Sequence, residues 1–165
     1  MPPSAVVVVS VYNRLAWSYN FVYRGSQHVV LSCNSLEELF TVIPCPSNEI
    51  PDECIVDETF VGYETGSSTR PSGCVVVIEG TAYGDGSTED DHARYVHLSV
   101  STKPNNHPRL CSKIVAQVSK PLDKGPKMRD TSFSSLSLRL NHPYWLVHQG
   151  NCEHFLVVDQ IRHVL

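Results

Sequence analysis

Residues 144–158 read YWLVHQGNCEHFLVV. Tyr144 to His148 is an aromatic and aliphatic run that reads as a strand, and Cys152 to Val158 reads as the strand returning beside it. Gln149-Gly150-Asn151 between them supplies turn chemistry, so the pair forms a hairpin. His148 and Cys152 then lie at its neck, with His154 just beyond. Immediately upstream, Asp130 or Thr131 caps a short helix whose apolar residues are Phe133, Leu136, Leu138 and Leu140, and Pro143 closes it. Leu122 to Arg129 (LDKGPKMR) reads as a basic loop with a Gly-Pro breaker. Pro108 to Lys120 places Leu110, Ile114, Val115 and Val118 on one helical face, ended by Pro121.

At the front, Ala5 to Tyr12 (AVVVVSVY) is rich in β-branched residues and reads as a strand. Asn13-Arg14 can turn the chain. Trp17 to Tyr23 alternates and reads as a second strand, broken by Arg24-Gly25, and His28 to Ser32 can form a third. A helix follows, capped by Asn34 or Ser35 with Glu37 and Glu38 in its first turn. Leu36, Leu39, Phe40 and Ile43 have helical spacing, and Pro44 stops it. Strand, strand and helix resemble the opening of a ubiquitin-like β-grasp. Pro44 to Gly73 carries four prolines and many acids without a sustained period, which predicts an extended connection. Cys74 to Glu79 (CVVVIE) is a buried strand, and Gly80 to Asp91 is turn chemistry with acids. The expected fold is therefore α+β, with a ubiquitin-like part over 1–45 and an acidic connection over 46–73. A strand, two helices and the hairpin occupy 74–165.

The chain has 165 residues, 41% hydrophobic and 18% charged, a globular composition that fits one ordinary domain. Its net charge of −4 argues against a freestanding nucleic-acid binder. The charge is uneven: residues 1–91 hold 13 acids against 3 bases, whereas residues 103–139 hold 8 bases against 2 acids. An acidic front and a basic middle suggest two different partners, although a solvated lysine-rich loop gives the same pattern. Six cysteines are scattered without a C-x-x-C pair. The start lacks the basic residues of a signal peptide, and Ala5 to Val9 is too short for a signal core or a membrane span. Reduced thiols in an intracellular chain are the simple expectation.

His148-x-x-x-Cys152-x-His154 gathers three zinc-type ligands around one turn. A structural site takes four, and Cys111, His163 or a cysteine beyond the chain are candidates for the fourth. The same residues also read as a polar hairpin tip. A nucleophile reading has Cys152 activated by His148 or His154, but no glycine-rich oxyanion segment adjoins Cys152. Asp85, Glu89, Asp90 and Asp91 lack the spacing of a calcium loop. No phosphate loop, dinucleotide fingerprint or GxSxG elbow is present.

The stretch from Asp130 to Val164, DTSFSSLSLRLNHPYWLVHQGNCEHFLVVDQIRHV, closely resembles the signature of the third subunit of the small-nuclear-RNA-activating protein complex. The matching positions are Phe133, Leu136, Leu140, Pro143, Tyr144, His148 to His154, Ile161 and Arg162. Ile78 to Tyr83 is similar to a Phe-Glu-Gly-Thr-Phe-Tyr stretch of that family. Gln27 to Glu38 and Ile43-Pro44-Cys45 resemble its strand-helix-cysteine segment. The resemblance implies a nuclear, non-enzymatic subunit that works beside a Myb-repeat subunit and a helical scaffold subunit on snRNA-gene promoter DNA, supporting RNA polymerases II and III. It also implies zinc as a cofactor, held by an incomplete set of His148, Cys152 and His154. The family usually has a cysteine where this chain has Val147, and its later cysteine pairs would lie past Leu165, as in a fragment. The basic stretch offers Lys124, Lys127, Arg129 and Arg139 as candidate DNA-phosphate contacts. A protein-interaction module without a DNA role, and a Cys/His hydrolase, are the alternatives.

Overall fold

The computed structural model describes residues 5–14, 22–45, 52–56, 59–64, 73–86, 122–148 and 152–163. Its centre is one mixed seven-stranded sheet. In chain order the elements are β1 (Ala5–Arg14), β2 (Val22–Leu31), α1 (Leu36–Val42), β3 (Asp52–Val56), β4 (Thr59–Glu64), β5 (Cys74–Ile78), β6 (Thr81–Gly84), β7 (Asp123–Lys124), β8 (Pro143–His148) and β9 (Cys152–His163). The sheet runs β2-β1-β9-β8-β5-β6-β7, and β3 and β4 form a separate two-stranded ribbon. All neighbours in the large sheet are antiparallel except β6 and β7.

This overturns the expected α+β fold with a ubiquitin-like front and a helix-hairpin unit. The first strand lies inside the large sheet, paired on one side with β2 and on the other with β9. The front therefore has no sheet of its own. The helix expected after Asp130 is reduced to one 3-10 turn, Phe133–Ser135, and a second, Met128–Asp130, falls at the end of the expected basic loop. Two physical reasons stand in the sequence. Leu136, Leu138 and Leu140 recur every second residue, which is not a helical period. The serines just before them bond locally instead: Ser135 Oγ donates to the Ser132 carbonyl at 2.7 Å, and the Ser132 and Ser134 hydroxyls lie 2.8 Å apart.

Smaller corrections follow the same logic. Asn13-Arg14 continues β1 and does not turn. Arg24-Gly25 does not break β2: the register slips there, Val11 facing Ser26 and Tyr12 facing Arg24, which leaves Gly25 as a bulge. Thr81 to Gly84, expected as turn, is β6, reached from β5 through Glu79-Gly80. Both have positive φ, 47° and 82°, as a type I′ hairpin turn requires. The supposed extended connection carries β3 and β4. The strand expected from Trp17 and the helix expected over 108–120 fall wholly or mainly outside the described residues.

The one α-helix among the described residues forms where its signals predict. Ser35 caps it, its hydroxyl accepting from the Glu38 N–H at 3.2 Å while the Glu38 carboxylate accepts from the Ser35 N–H at 2.6 Å. Such a cap is worth about 1 kcal/mol. Seven residues are too few for a stable helix alone, so packing holds it. Leu36 and Leu39 are 2% and 1% exposed, in a core with Val7, Val9 and Val11 of β1, Leu146 of β8 and Leu156 of β9. A second cluster joins Val75 of β5, Trp145 and Val147 of β8, Ala82 of β6 and Leu122 just before β7. Burial on both faces explains why β5 is an unbroken apolar run. Among the described residues, no helix is long and apolar enough to cross a membrane.

Glu79 anchors the segment before β8. Its Oε1 accepts from Arg139 Nε at 2.6 Å and from the Tyr144 hydroxyl at 2.9 Å, and that hydroxyl accepts from the Arg139 N–H at 2.6 Å. The Arg139 hydrogen bond, first, holds the Glu79 carboxyl below the usual range. A depressed carboxyl pKa stabilises the fold above the unfolded-state value, near about 4.3, and the gain is lost as pH falls through the folded value. Glu79→Gln should therefore lower the thermal midpoint at pH 7, with the gap to wild type closing below about pH 4.3. Thermal melts across pH check this; a gap that does not narrow as pH falls below about 4.3 refutes it.

Candidate metal centre

Strand alternation decides which side chains meet at the hairpin neck. On β8, Tyr144, Leu146 and His148 share the core face, while Trp145 and Val147 take the other. On β9, Cys152, His154, Leu156 and Val158 share that same core face. The pairing sets His148 opposite Cys152 and Leu146 opposite His154. Both histidines are 1% exposed.

The fourth member comes from the far side of the sequence. Helix α1 ends at the Ile43 cap, and Pro44 then carries the chain to Cys45, which is buried. The Phe40 ring meets the His148 ring edge-on at 5.4 Å, fixing the helix end over the neck. One ligand atom each from Cys45, His148, Cys152 and His154 lies within 4.8 Å of the others. The His148 and His154 Nε2 atoms are 2.9 Å apart, the Cys45 and Cys152 sulfurs 3.2 Å, and Cys152 Sγ is 3.4 Å from His154 Nε2.

These separations suit ligands around one ion. Zinc–nitrogen lengths of about 2.0–2.1 Å and zinc–sulfur lengths of about 2.3 Å give tetrahedral edges of about 3.3–3.8 Å, between the 2.9–3.4 Å of these three contacts and the 4.8 Å that bounds the set. The next layer orients His154, whereas His148 Nδ1 is buried without a hydrogen-bond partner. His154 Nδ1 faces Asn13 Oδ1 at 2.6 Å, and Asn13 Nδ2 donates to the Tyr23 hydroxyl at 3.4 Å. An amide oxygen only accepts, so Nδ1 carries the proton and Nε2 presents its lone pair to the cluster. Asn13 is placed by its register opposite His154 and by the bulge at Gly25, where a Cβ would come within 2.5 Å of Asn13 Nδ2. Two sulfurs and two imidazoles, three of the four residues buried and Cys152 partly so, are a donor set that suits zinc.

His148, Cys152 and His154 thus come together as expected. The fourth position is Cys45, which spacing does not reveal because 107 residues separate it from Cys152. The signal available was its place in the Ile43-Pro44-Cys45 echo. His163 lies nine residues along β9 from His154, about 30 Å away at strand rise, and Cys111 is outside the described residues. Lys124 lies on β7, Lys127 precedes the first 3-10 turn and Arg129 lies in it, all exposed. Arg139 is exposed but engaged by Glu79.

The family profile of snRNA-activating protein complex (SNAPc), subunit 3, matches residues 26–165. The chain belongs to this family. Proteins named snRNA-activating protein complex subunit 3 from Bos taurus and Rattus norvegicus are 37% and 36% identical to it over 60 residues, 33% of this chain. The subunit 3 protein of Mus musculus is 36% identical over the same length. The matched part spans only 15% of the length of these relatives. The profile match takes in the family member's helix α1, Cys45 and the whole hairpin.

Losing a partner that orients a metal-bound histidine typically costs 10–100-fold in metal affinity. Asn13→Ala should weaken zinc binding by about that factor with the strand pairing intact, as read by competition with a chelator. Unchanged affinity would remove Asn13 from the site.

Proposed function

We propose that this chain acts as a subunit of the snRNA-activating complex, a non-enzymatic nuclear adaptor clasped by one zinc ion. The family match over residues 26–165 is the observation that carries the functional reading. The four-donor cluster supports zinc, with Cys45, His148, Cys152 and His154 as ligands. When bound, the metal supplies a cross-link between the end of α1 and the hairpin neck. Zinc analysis tests this: about one ion per chain is expected from a four-ligand site, lost in Cys45→Ser and in Cys152→Ser. A metal-free wild-type chain would end the zinc reading.

In this reading the partners are the Myb-repeat subunit, the helical scaffold subunit and, through the assembled complex, promoter DNA. Lys124, Lys127, Arg129 and Arg139 neutralise phosphates, with Arg139 contributing least because Glu79 already holds it. Replacing all four by alanine in the reconstituted complex should flatten the salt dependence of promoter binding by about 3 in log–log slope, at about 0.9 per contact. A slope that does not move would strip these residues of the role. A Cys152 hydrolase would use the same thiol beside His154, 3.4 Å away. A nucleophile and base need one thiol and one imidazole, and the second of each in the cluster favours the cation.

A further inference from the structure

We infer that Cys45 and Cys152 are a redox-active pair: two-electron oxidation joins them as a disulfide and discharges the metal they hold. The metal half rests on the zinc reading above; the thiol half stands on geometry alone. The two sulfurs are 3.2 Å apart, closer than van der Waals contact. Cys152 is half-buried and within reach of a small oxidant, while Cys45 behind it is buried. Two further thiols, Cys74 and Cys33, are placed differently. Cys74 is fully buried, and burial, then the Asp85 charge, pushes its thiol well above the usual range. Cys33 is exposed on the loop before α1.

The oxidant is a peroxide. The Cys152 sulfur attacks one peroxide oxygen, the O–O bond breaks, and Cys152 becomes a sulfenic acid as hydroxide leaves and takes up a proton. The Cys45 sulfur then attacks the Cys152 sulfur. The S–S bond forms, the S–O bond breaks, and the oxygen departs as water with a second proton. Two thiolates lose two electrons and the peroxide gains them. A disulfide is a poor ligand for zinc, so two of the four donors are withdrawn and the ion leaves. One cross-link between the end of α1 and the hairpin replaces another, so the metal is released without the sheet opening.

The experiment uses the full chain, with zinc content measured first and hydrogen peroxide then added stoichiometrically. Peptide mapping by mass spectrometry and a zinc-sensitive dye follow the two products. Expected are one disulfide linking the Cys45 and Cys152 peptides and one zinc released per disulfide, unchanged in Cys33→Ser. A sulfinic acid on Cys152 without the cross-link, disulfides through Cys33, or a cross-link with zinc retained would each overturn the inference. Zinc-free chain that still joins Cys45 to Cys152 would sink the zinc reading while sustaining the pair. Zinc-loaded chain that never joins them would do the reverse.

Discussion

Strand β9 hydrogen-bonds along both of its edges, and the rest of the molecule hangs on that double pairing. Ala5 to Asn13 of β1 run down one side and Pro143 to His148 of β8 up the other. The front and back of the sequence thereby become one sheet. The pairing also fixes a phase. Cys152, His154, Leu156 and Val158 face α1, and a slip of one residue would send all four to the opposite face. Core and candidate metal site therefore share a single register, and a slip of the strand would disrupt both.

The other face holds that register from behind. Arg14 pairs with Glu153 at 2.8 Å, the Glu153 side chain being only 5% exposed. The Arg14 guanidinium lies 5.2 Å from the centre of the Phe155 ring, and that ring stacks on Trp145 at 6.1 Å with 11° between planes. Glu153 and Phe155 alternate with Cys152, His154 and Leu156. Slipping the strand would thus break a buried ion pair as well as the donor cluster, and an ion pair broken while one partner stays buried is costly, about 3–5 kcal/mol.

The parts legible in the sequence were those set by nearest neighbours. The hairpin neck, the capped helix and the buried β5 each follow from a few adjacent residues. His148, Cys152 and His154 belong to that class, since one turn and one alternation place them. The sheet order was not legible, because β1 finds β9 across some 150 residues and no local pattern names a distant partner. Cys45 was hidden for the same reason. The false helix after Asp130 came from reading leucines as helical when their spacing of two had already marked extended chain.

The distance of Cys45 from its companions also bears on why a cation suits this place. In the chain-entropy picture, a cross-link gains with the logarithm of the loop it closes. Cys45 and Cys152 close a loop of 107 residues, for which that picture gives roughly 4–5 kcal/mol, whereas a ligand at Cys111 would gain about 1 kcal/mol less. The beneficiary is α1, a helix too short to persist without the sheet. Its own packing ends at Ile43, two residues before Cys45. A metal at Cys45 would hold the helix at the end its leucines do not reach, taking one donor atom from each of two imidazoles and two thiols. The site lies where the chain has least local means of holding itself together.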